Sequence, residues 1–371
     1  MKKLLATVLA LVMVLGLAAC GGGSSAPASS SAPASSESSS AAPAESAVPA
    51  DTDPYANLKP VELIGGDTAG KGAAGQLLGE KVAELLDEIT GGKLTMDYHP
   101  NGDLGGDADL IRQMQGNDIQ IVVCQTAPIV SFIPEMAVFD LPMVFAKYDG
   151  DKIDSALNGD NAFTKALREA YEAQGLHLLG FMQNATFRLT TSNKELKTLA
   201  DFAGLQIRTM ENANHMAFWQ AIGAQPTPLP WGEVYISLQN KMIDAEENAA
   251  DTVAGNNLQE VQKYLAFTNH ILYCNQICIS KEAYDALDPA YQAALDQAVA
   301  EAIAYMRPQL ESIDAENKAK LESDAKNPMT LIEYDAAFYD SILNLDGVKA
   351  LYSKIDGDTN GLANLLTDAL A

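Results

Sequence analysis

The 371 residues predict an α/β protein of two lobes, on three observations. From Val61 onward, short apolar β-type runs alternate with amphipathic helical stretches, the order that builds a sheet flanked by helices. Roughly 320 residues remain after an N-terminal leader and a low-complexity tail, more than one small core takes. The alternation also restarts, running from Leu189 to about Phe267, and Ile271 to Ile279 then reads as a strand placed to cross back into the first lobe. No internal sequence repeat accompanies this arrangement.

The chain opens with Lys2 and Lys3, followed by an apolar run, Leu4 to Leu17, that is short for a membrane span. It ends in Leu17-Ala18-Ala19-Cys20, which resembles a lipoprotein cleavage box. Residues 1–19 are therefore expected to be an export signal and Cys20 a diacylated mature N-terminus, with two acyl chains holding the protein to the outer face of the cell membrane. A plain secretory signal with a chance cysteine is the alternative. Gly21 to about Ala50 is nearly all Gly, Ser, Ala and Pro with nothing large enough to nucleate a core, so a flexible tether is expected over residues 20–56. Thirty residues of such coil span roughly 30 Å.

In the globular part, Val61 to Ile64 starts a strand, Gln76 to Thr90 is a helix stopped by Gly91-Gly92, and Leu94 to Tyr98 is a second strand. Asp107 caps a helix through Gln115, and Ile119 to Val123 is a buried strand. Phe163, Ala166, Leu167, Ala170 and Tyr171 share one helical face, ended by Gly175 before the strand Leu176 to Phe181. Pro289 to about Asn327 is helix-forming throughout, with Pro308 expected to kink one long helix or split it in two.

Composition narrows the function. The formal net charge is −25, and −27 once Lys2 and Lys3 leave with the signal, which excludes a nucleic-acid partner. An acidic shell repels anions at long range, so an anionic ligand would have to be recognised locally, by buried cations. After Cys20, the cysteines Cys124, Cys274 and Cys278 are odd in number. Cys274 and Cys278, four apart along a strand at roughly 13 Å, are too distant to bridge, so buried thiols are expected. His99, His177, His215 and His270 lack ligand spacing, and neither a metal nor another cofactor is expected.

Three side chains stand out as anion binders. Arg188 and Arg208 each sit in a short alternating run whose apolar face is opposite the arginine, and Asn248 sits where the strand beginning at Met242 should run out into a loop. Ligands of open α/β sheets bind at such carboxyl ends. Guanidinium forks onto a carboxylate, and an amide donates and accepts beside it, so the three would make a carboxylate clamp. By spacing alone, both arginines also fit an ordinary ion-paired role.

The run Arg188-Leu189-Thr190-Thr191-Ser192-Asn193, followed by Asp201-Phe202-Ala203-Gly204-Leu205-Gln206-Ile207-Arg208, resembles the solute-binding proteins of tripartite ATP-independent periplasmic (TRAP) transporters. So do Gly223-Ala224-Gln225-Pro226-Thr227-Pro228, Asp244-Ala245-Glu246-Glu247-Asn248 and Val261-Gln262-Lys263-Tyr264-Leu265, in the same order and at the same spacing. Over 57–186 the likeness thins to a pattern, with Val138-Phe139-Asp140-Leu141-Pro142 its clearest part.

The resemblance implies a type II-like periplasmic-binding-protein fold of mixed sheets and helices, with a cleft between the lobes and a long helix spanning both. Lobe I would take 57–185 and 274–313, and lobe II 186–273 and 314–371. It also implies that Arg208 forms the central salt bridge to a ligand carboxylate, flanked by Arg188 and Asn248. Two departures bear on the ligand. Glu246 replaces an amide, and Glu211 stands where sialic-acid binders carry one.

Further residues are candidates for the site. Gln125 is either a ligand-facing residue at a strand end or a helix-entry residue before Pro128. Asp107 is either a cleft residue or a helix N-cap. Trp231, with Trp219 and Tyr235, is either cleft wall or core. Glu211 and Glu246, if in the cleft, would repel a second carboxylate and accept from hydroxyls, favouring a sugar acid such as a uronate. The expected function is a monomeric extracytoplasmic receptor delivering an organic-acid anion to TRAP permease subunits. The alternatives are a receptor feeding a sensor kinase and an anchored hydrolase using Asp244, Glu246, Glu247 and Asp251.

Overall fold

The computed structural model describes residues 53–371, so the expectations for the leader, for Cys20 and for nearly all of the tail lie outside the described residues. In chain order the strands are β1 (Val61–Gly66), β2 (Leu94–His99), β3 (Ile121–Gln125), β4 (Leu176–Met182) and β5 (Leu189–Ser192). They continue as β6 (Gln206–Thr209), β7 (Gln225–Pro228), β8 (Ala245–Asn248), β9 (Tyr264–Ala266), β10 (Asn275–Ser280) and β11 (Thr330–Ile332). These form two sheets, ordered β2-β1-β3-β10-β4 and β11-β9-β5-β8-β6-β7.

Each sheet is parallel except for one strand. β10 runs against β3 and β4, and β5 runs against β8 and β9. Those are the strands that the chain enters by its two extended connections between the sheets; a third passage, through the helix Pro289–Ser323, leads into the parallel strand β11. The two passing segments pair antiparallel with each other: Arg188 N donates to Ile271 O at 2.9 Å, Tyr273 N donates to Thr186 O at 2.8 Å, and Phe187 faces Leu272. The strand expected from Ile271 accordingly starts only at Asn275, because 271–274 pair inside this two-stranded connection and not in a sheet.

β3 shows why its sequence is an unbroken apolar run. Ile121 and Val123 face the helix Ala74–Thr90, while Val122 and Cys124 face the layer built from Leu110, Ile111 and Phe139, so both sides are buried. The strand begins two residues later than expected, after the left-handed turn at Asn117. Cys124, Cys274 and Cys278 are buried free thiols.

The helix Pro289–Ser323 is a single element of 35 residues and is not split at Pro308. Pro308 lies on its exposed side, where water can take the carbonyl of Ala304 that proline cannot reach. Tyr291 to Leu310 of this helix pack with the core around β1, β3 and β10, and Leu321 packs with Leu265 and Met329 beside the second sheet. One rod is thereby anchored in both layers. The segment 314–371 was expected to belong wholly with the second sheet. Its last helix, Leu362–Leu370, instead packs on the helices Gly150–Asn158 and Ala162–Ala173 beside the first, burying Leu366 and Leu370 there.

Candidate functional site

The carboxyl ends of parallel strands from both sheets point into one pocket. β1 leads to Asp67 and β3 ends at Gln125; from the other sheet come Arg208 of β6 and Asn248, the last residue of β8. Asn275 enters beside Gln125, its register partner, because antiparallel β10 starts where β3 ends. The pocket, with its open mouth, encloses about 490 Å³, and Thr68, Asp107, Trp231 and Tyr273 complete much of its wall. This is the position that α/β topology favours for a ligand.

Arg208 is buried, and its Nε and Nη2 both donate to Leu229 O, at 2.9 and 2.7 Å. Its guanidinium lies over the Trp231 ring, 5.5 Å from the centroid. Burial presses its pKa down from the ordinary arginine value, against the pull of Glu247 and Glu246. Among the described residues it belongs to no ion pair, and Nη1 has no protein acceptor. It is a fixed cation whose open side faces the pocket.

Arg188 is different. It is fully buried and ion-paired through Nε to Glu247, with Nη2 donating to Glu247 O at 2.6 Å and Nη1 to the Gln125 side chain. Glu247 also meets His270 Nε2 at 3.1 Å and His215 Nδ1 at 3.7 Å. Burial alone would raise the Glu247 carboxyl; Arg188 and the two imidazoles override it and hold it well below the usual range. The chain continues from His215 Nε2 to Asp140 Oδ1 at 3.1 Å, and Asp140 Oδ2 accepts from Asn212 and Asn214 at 2.9 and 3.0 Å. A buried polar network therefore links Asp140, beside the first sheet, to the helix Ala213–Ala221 of the second.

The remaining candidates divide. Asp107 is not the N-cap, which is Gly106. Its Oδ1 instead accepts from Thr68 Oγ1 at 2.8 Å on the pocket wall, and burial raises its pKa. Gln125 lines the pocket with its carbonyl given to Arg188. Trp231 lines the pocket, and Glu211 is exposed in an adjoining recess shared with Arg208 and Asp107. Trp219 is core, packed on Phe202, Phe218 and His270. Tyr235 binds Glu260 on a distant surface.

The acids that suggested hydrolysis have separate structural partners. Glu246 is buried against Thr191, Asp244 accepts from Gln206 N, and Asp251 accepts from Ala74 N. Burial, with Glu247 alongside, pushes the Glu246 carboxyl up to about 7. Asp67, Asn275, Asp140, His215 and His270 escaped the sequence reading. Only Asp140 carried a signal, within Phe139-Asp140-Leu141-Pro142.

A two-layer α/β body with a cation-bearing cleft at the strand ends is the architecture of an extracytoplasmic solute-binding protein. Residues 68–340 match the model of the bacterial extracellular solute-binding protein family 7, and the chain belongs to that family, the TRAP solute receptors. It is 31% identical over 228 residues to the 2,3-diketo-L-gulonate-binding periplasmic protein of Escherichia coli K12, covering 62% of this chain and 68% of that one. It is 27% identical over 251 residues to the C4-dicarboxylate-binding protein of Bacillus subtilis, covering 68% and 70%. A TRAP solute-binding protein from Polaromonas bound to D-erythronate superposes with a TM-score of 0.75 at 25% identity, covering 84% and 98%. Among the described residues no helix is long and apolar enough to cross a membrane.

Proposed function

We propose that this receptor captures an organic-acid anion by its carboxylate on Arg208 and delivers it to the membrane permease subunits of a TRAP transporter. The observation that carries the reading is Arg208 itself, buried, held by Leu229 O, and without an acidic partner among the described residues. Leaving a buried cation unpaired costs several kcal/mol, and a ligand carboxylate supplies the missing charge. Each charge-assisted hydrogen bond contributes about 1.5 to 3 kcal/mol net, so a guanidinium and the Asn248 amide together support an affinity near micromolar, about −8 kcal/mol.

The finer parts of the reading follow from the same pieces. Closure about the paired segments at Phe187 and Leu272 brings the two strand-end sets together and expels water. The ligand must favour the closed arrangement to shift it. A hydroxylated monocarboxylate suits the site better than a dicarboxylate, because Asp67 and Asp107 stand in the same pocket as the arginine. Relatives bind both 2,3-diketo-L-gulonate and C4-dicarboxylates, so family membership alone leaves that choice to the pocket. Cys20 as a lipid anchor places the receptor at the outer membrane face.

The test is a thermal-shift screen of the mature protein against uronates, aldonates, 2-oxo acids and dicarboxylates, with Arg208→Ala beside it. Ligand at a thousandfold excess over Kd adds about 4 kcal/mol of stability. One acid class should raise Tm in the wild type and not in the variant; no response to any acid would end the reading.

A further inference from the structure

Among the described residues, three buried polar atoms on side chains that line this pocket have no hydrogen-bond partner. They are Asp67 Oδ2, Asn248 Oδ1 and Asn275 Nδ2, on residues 2%, 3% and 4% exposed. Buried polar groups are nearly always satisfied, and each exception calls for a physical reason. Here the exceptions share one cavity, and they come from both sheets: Asp67 and Asn275 from the first, Asn248 from the second.

Asp67 is the most demanding of the three. Its Oδ1 accepts from Ala69 N at 3.1 Å, which orients the carboxylate and leaves Oδ2 free. The Tyr98 hydroxyl adjoins the carboxylate and lowers its pKa, yet neither that hydroxyl nor Asp67 Oδ2 meets full hydrogen-bond geometry among the described residues. Burial pushes the Asp67 carboxyl up to about 7, against the lowering by Tyr98 and by the backbone N–H groups of Ala69 and Asn101.

We infer that Asp67 accepts a hydrogen bond from a ligand hydroxyl across the pocket from the Arg208-bound carboxylate, which makes it a specificity-determining residue for hydroxylated monocarboxylates. This deepens the proposed function and rests on it. The free atoms are two acceptors and one donor. Hydroxyl groups, each able to donate and to accept, complement such a mixed set. An unsubstituted alkyl chain would leave all three unpaired. A second carboxylate would meet the carboxyl groups of Asp67 and Asp107, which repel it whenever they are ionised. Sites built to bond a hydroxyl reject analogues lacking it far more strongly than apolar sites reject a methylene.

The experiment is isothermal titration of the mature protein with D-gluconate, D-glucuronate and other aldonates and uronates. Hexanoate and adipate serve as chains without hydroxyls, and the variants are Arg208→Ala, Asp67→Asn and Tyr98→Phe. At least one hydroxylated acid should bind a hundredfold or more tighter than hexanoate and adipate. Asp67→Asn should shrink that gap at least tenfold with an unchanged circular dichroism spectrum, and Tyr98→Phe should leave it in place.

The inference is overturned by hexanoate or adipate binding within threefold of the best hydroxylated acid. It is equally overturned by a gap that survives Asp67→Asn, or by Tyr98→Phe reproducing the Asp67→Asn loss, which would make Asp67 a support for the tyrosine. Failure of the underlying receptor reading looks different: no acid binds, or binding persists undiminished in Arg208→Ala.

Discussion

Two buried arginines lie close to the same cleft, and their surroundings are opposite. Arg188 is enclosed by Glu247, the Glu247 carbonyl and Gln125, and Glu247 in turn holds His270 and faces His215. Arg208 touches one carbonyl and one aromatic face, and its remaining side is open to the pocket. A guanidinium whose charge is matched within the protein supports structure. One whose charge is unmatched is available to a ligand. Burial alone does not separate the two; the partners do.

The largest expected effect comes from breaking the closed centre. Glu247→Gln leaves Arg188 as an uncompensated buried charge and should cost about 3 to 5 kcal/mol of unfolding free energy, read by denaturant titration. A midpoint unchanged from wild type would put Arg188 in the same class as Arg208 and remove the contrast.

The same centre sets a pH dependence through His215. Burial opposes its protonation, but the hydrogen bond to Asp140 and the Glu247 carboxylate 3.7 Å away carry the pKa up to about 9 from an ordinary 6.5. Because the folded value is raised, this stabilisation is complete below pH 6.5 and is lost as pH rises toward 9, a change of about 3 kcal/mol. His215→Gln should flatten the stability profile between pH 6.5 and 9, and an unaltered slope would count against the network.

At the open centre, Arg208→Lys keeps the charge but loses the planar fork. Affinity for the best-binding acid should fall tenfold to a hundredfold, with unfolding free energy within about 1 kcal/mol of wild type. A large stability loss here would show that Arg208 is structural as well. The smallest effect is expected outside both centres. Asp251, on the helix Ala250–Gly255 beside the second sheet, accepts from Ala74 N at 2.9 Å and so caps the helix Ala74–Thr90 from across the cleft. Asp251→Ala should cost about 1 kcal/mol and make the unliganded protein measurably more open by small-angle scattering.

Much of this is legible in the sequence. The alternation of strand and helix located β1, β2, β4 and the helices Ala74–Thr90, Asp107–Gln115 and Ala162–Ala173 to within a few residues, because period-2 and period-3.6 burial leave different sequence patterns. Arg208 and Asn248 were found by motif and by their place at strand ends. Asp67 was missed because a lone aspartate after Gly65-Gly66 looks like any turn residue. Trp219 looked like a candidate cleft wall, and its burial against Phe202 and Phe218 shows in no local pattern.

The sequence by itself determined the α/β class, the two-layer plan and the arginine-bearing strand ends, since those depend on residues near one another in the chain. Only the tertiary structure decided which arginine remains free. Antiparallel pairing of β5 with β8 sets Leu189 opposite Asn248 and Thr190 opposite Glu247, which brings Glu247 onto Arg188 across 59 positions of sequence. Arg208 lies opposite Thr227 of β7, and on the other side Ile207 pairs with Ala245 of β8, which puts Glu246 one position on; but Glu246 accepts from Thr191 and makes no ion pair with Arg208 among the described residues. Charge compensation depends on distances of a few ångströms, and long-range strand register, which sets those distances here, leaves no periodic trace in a single sequence.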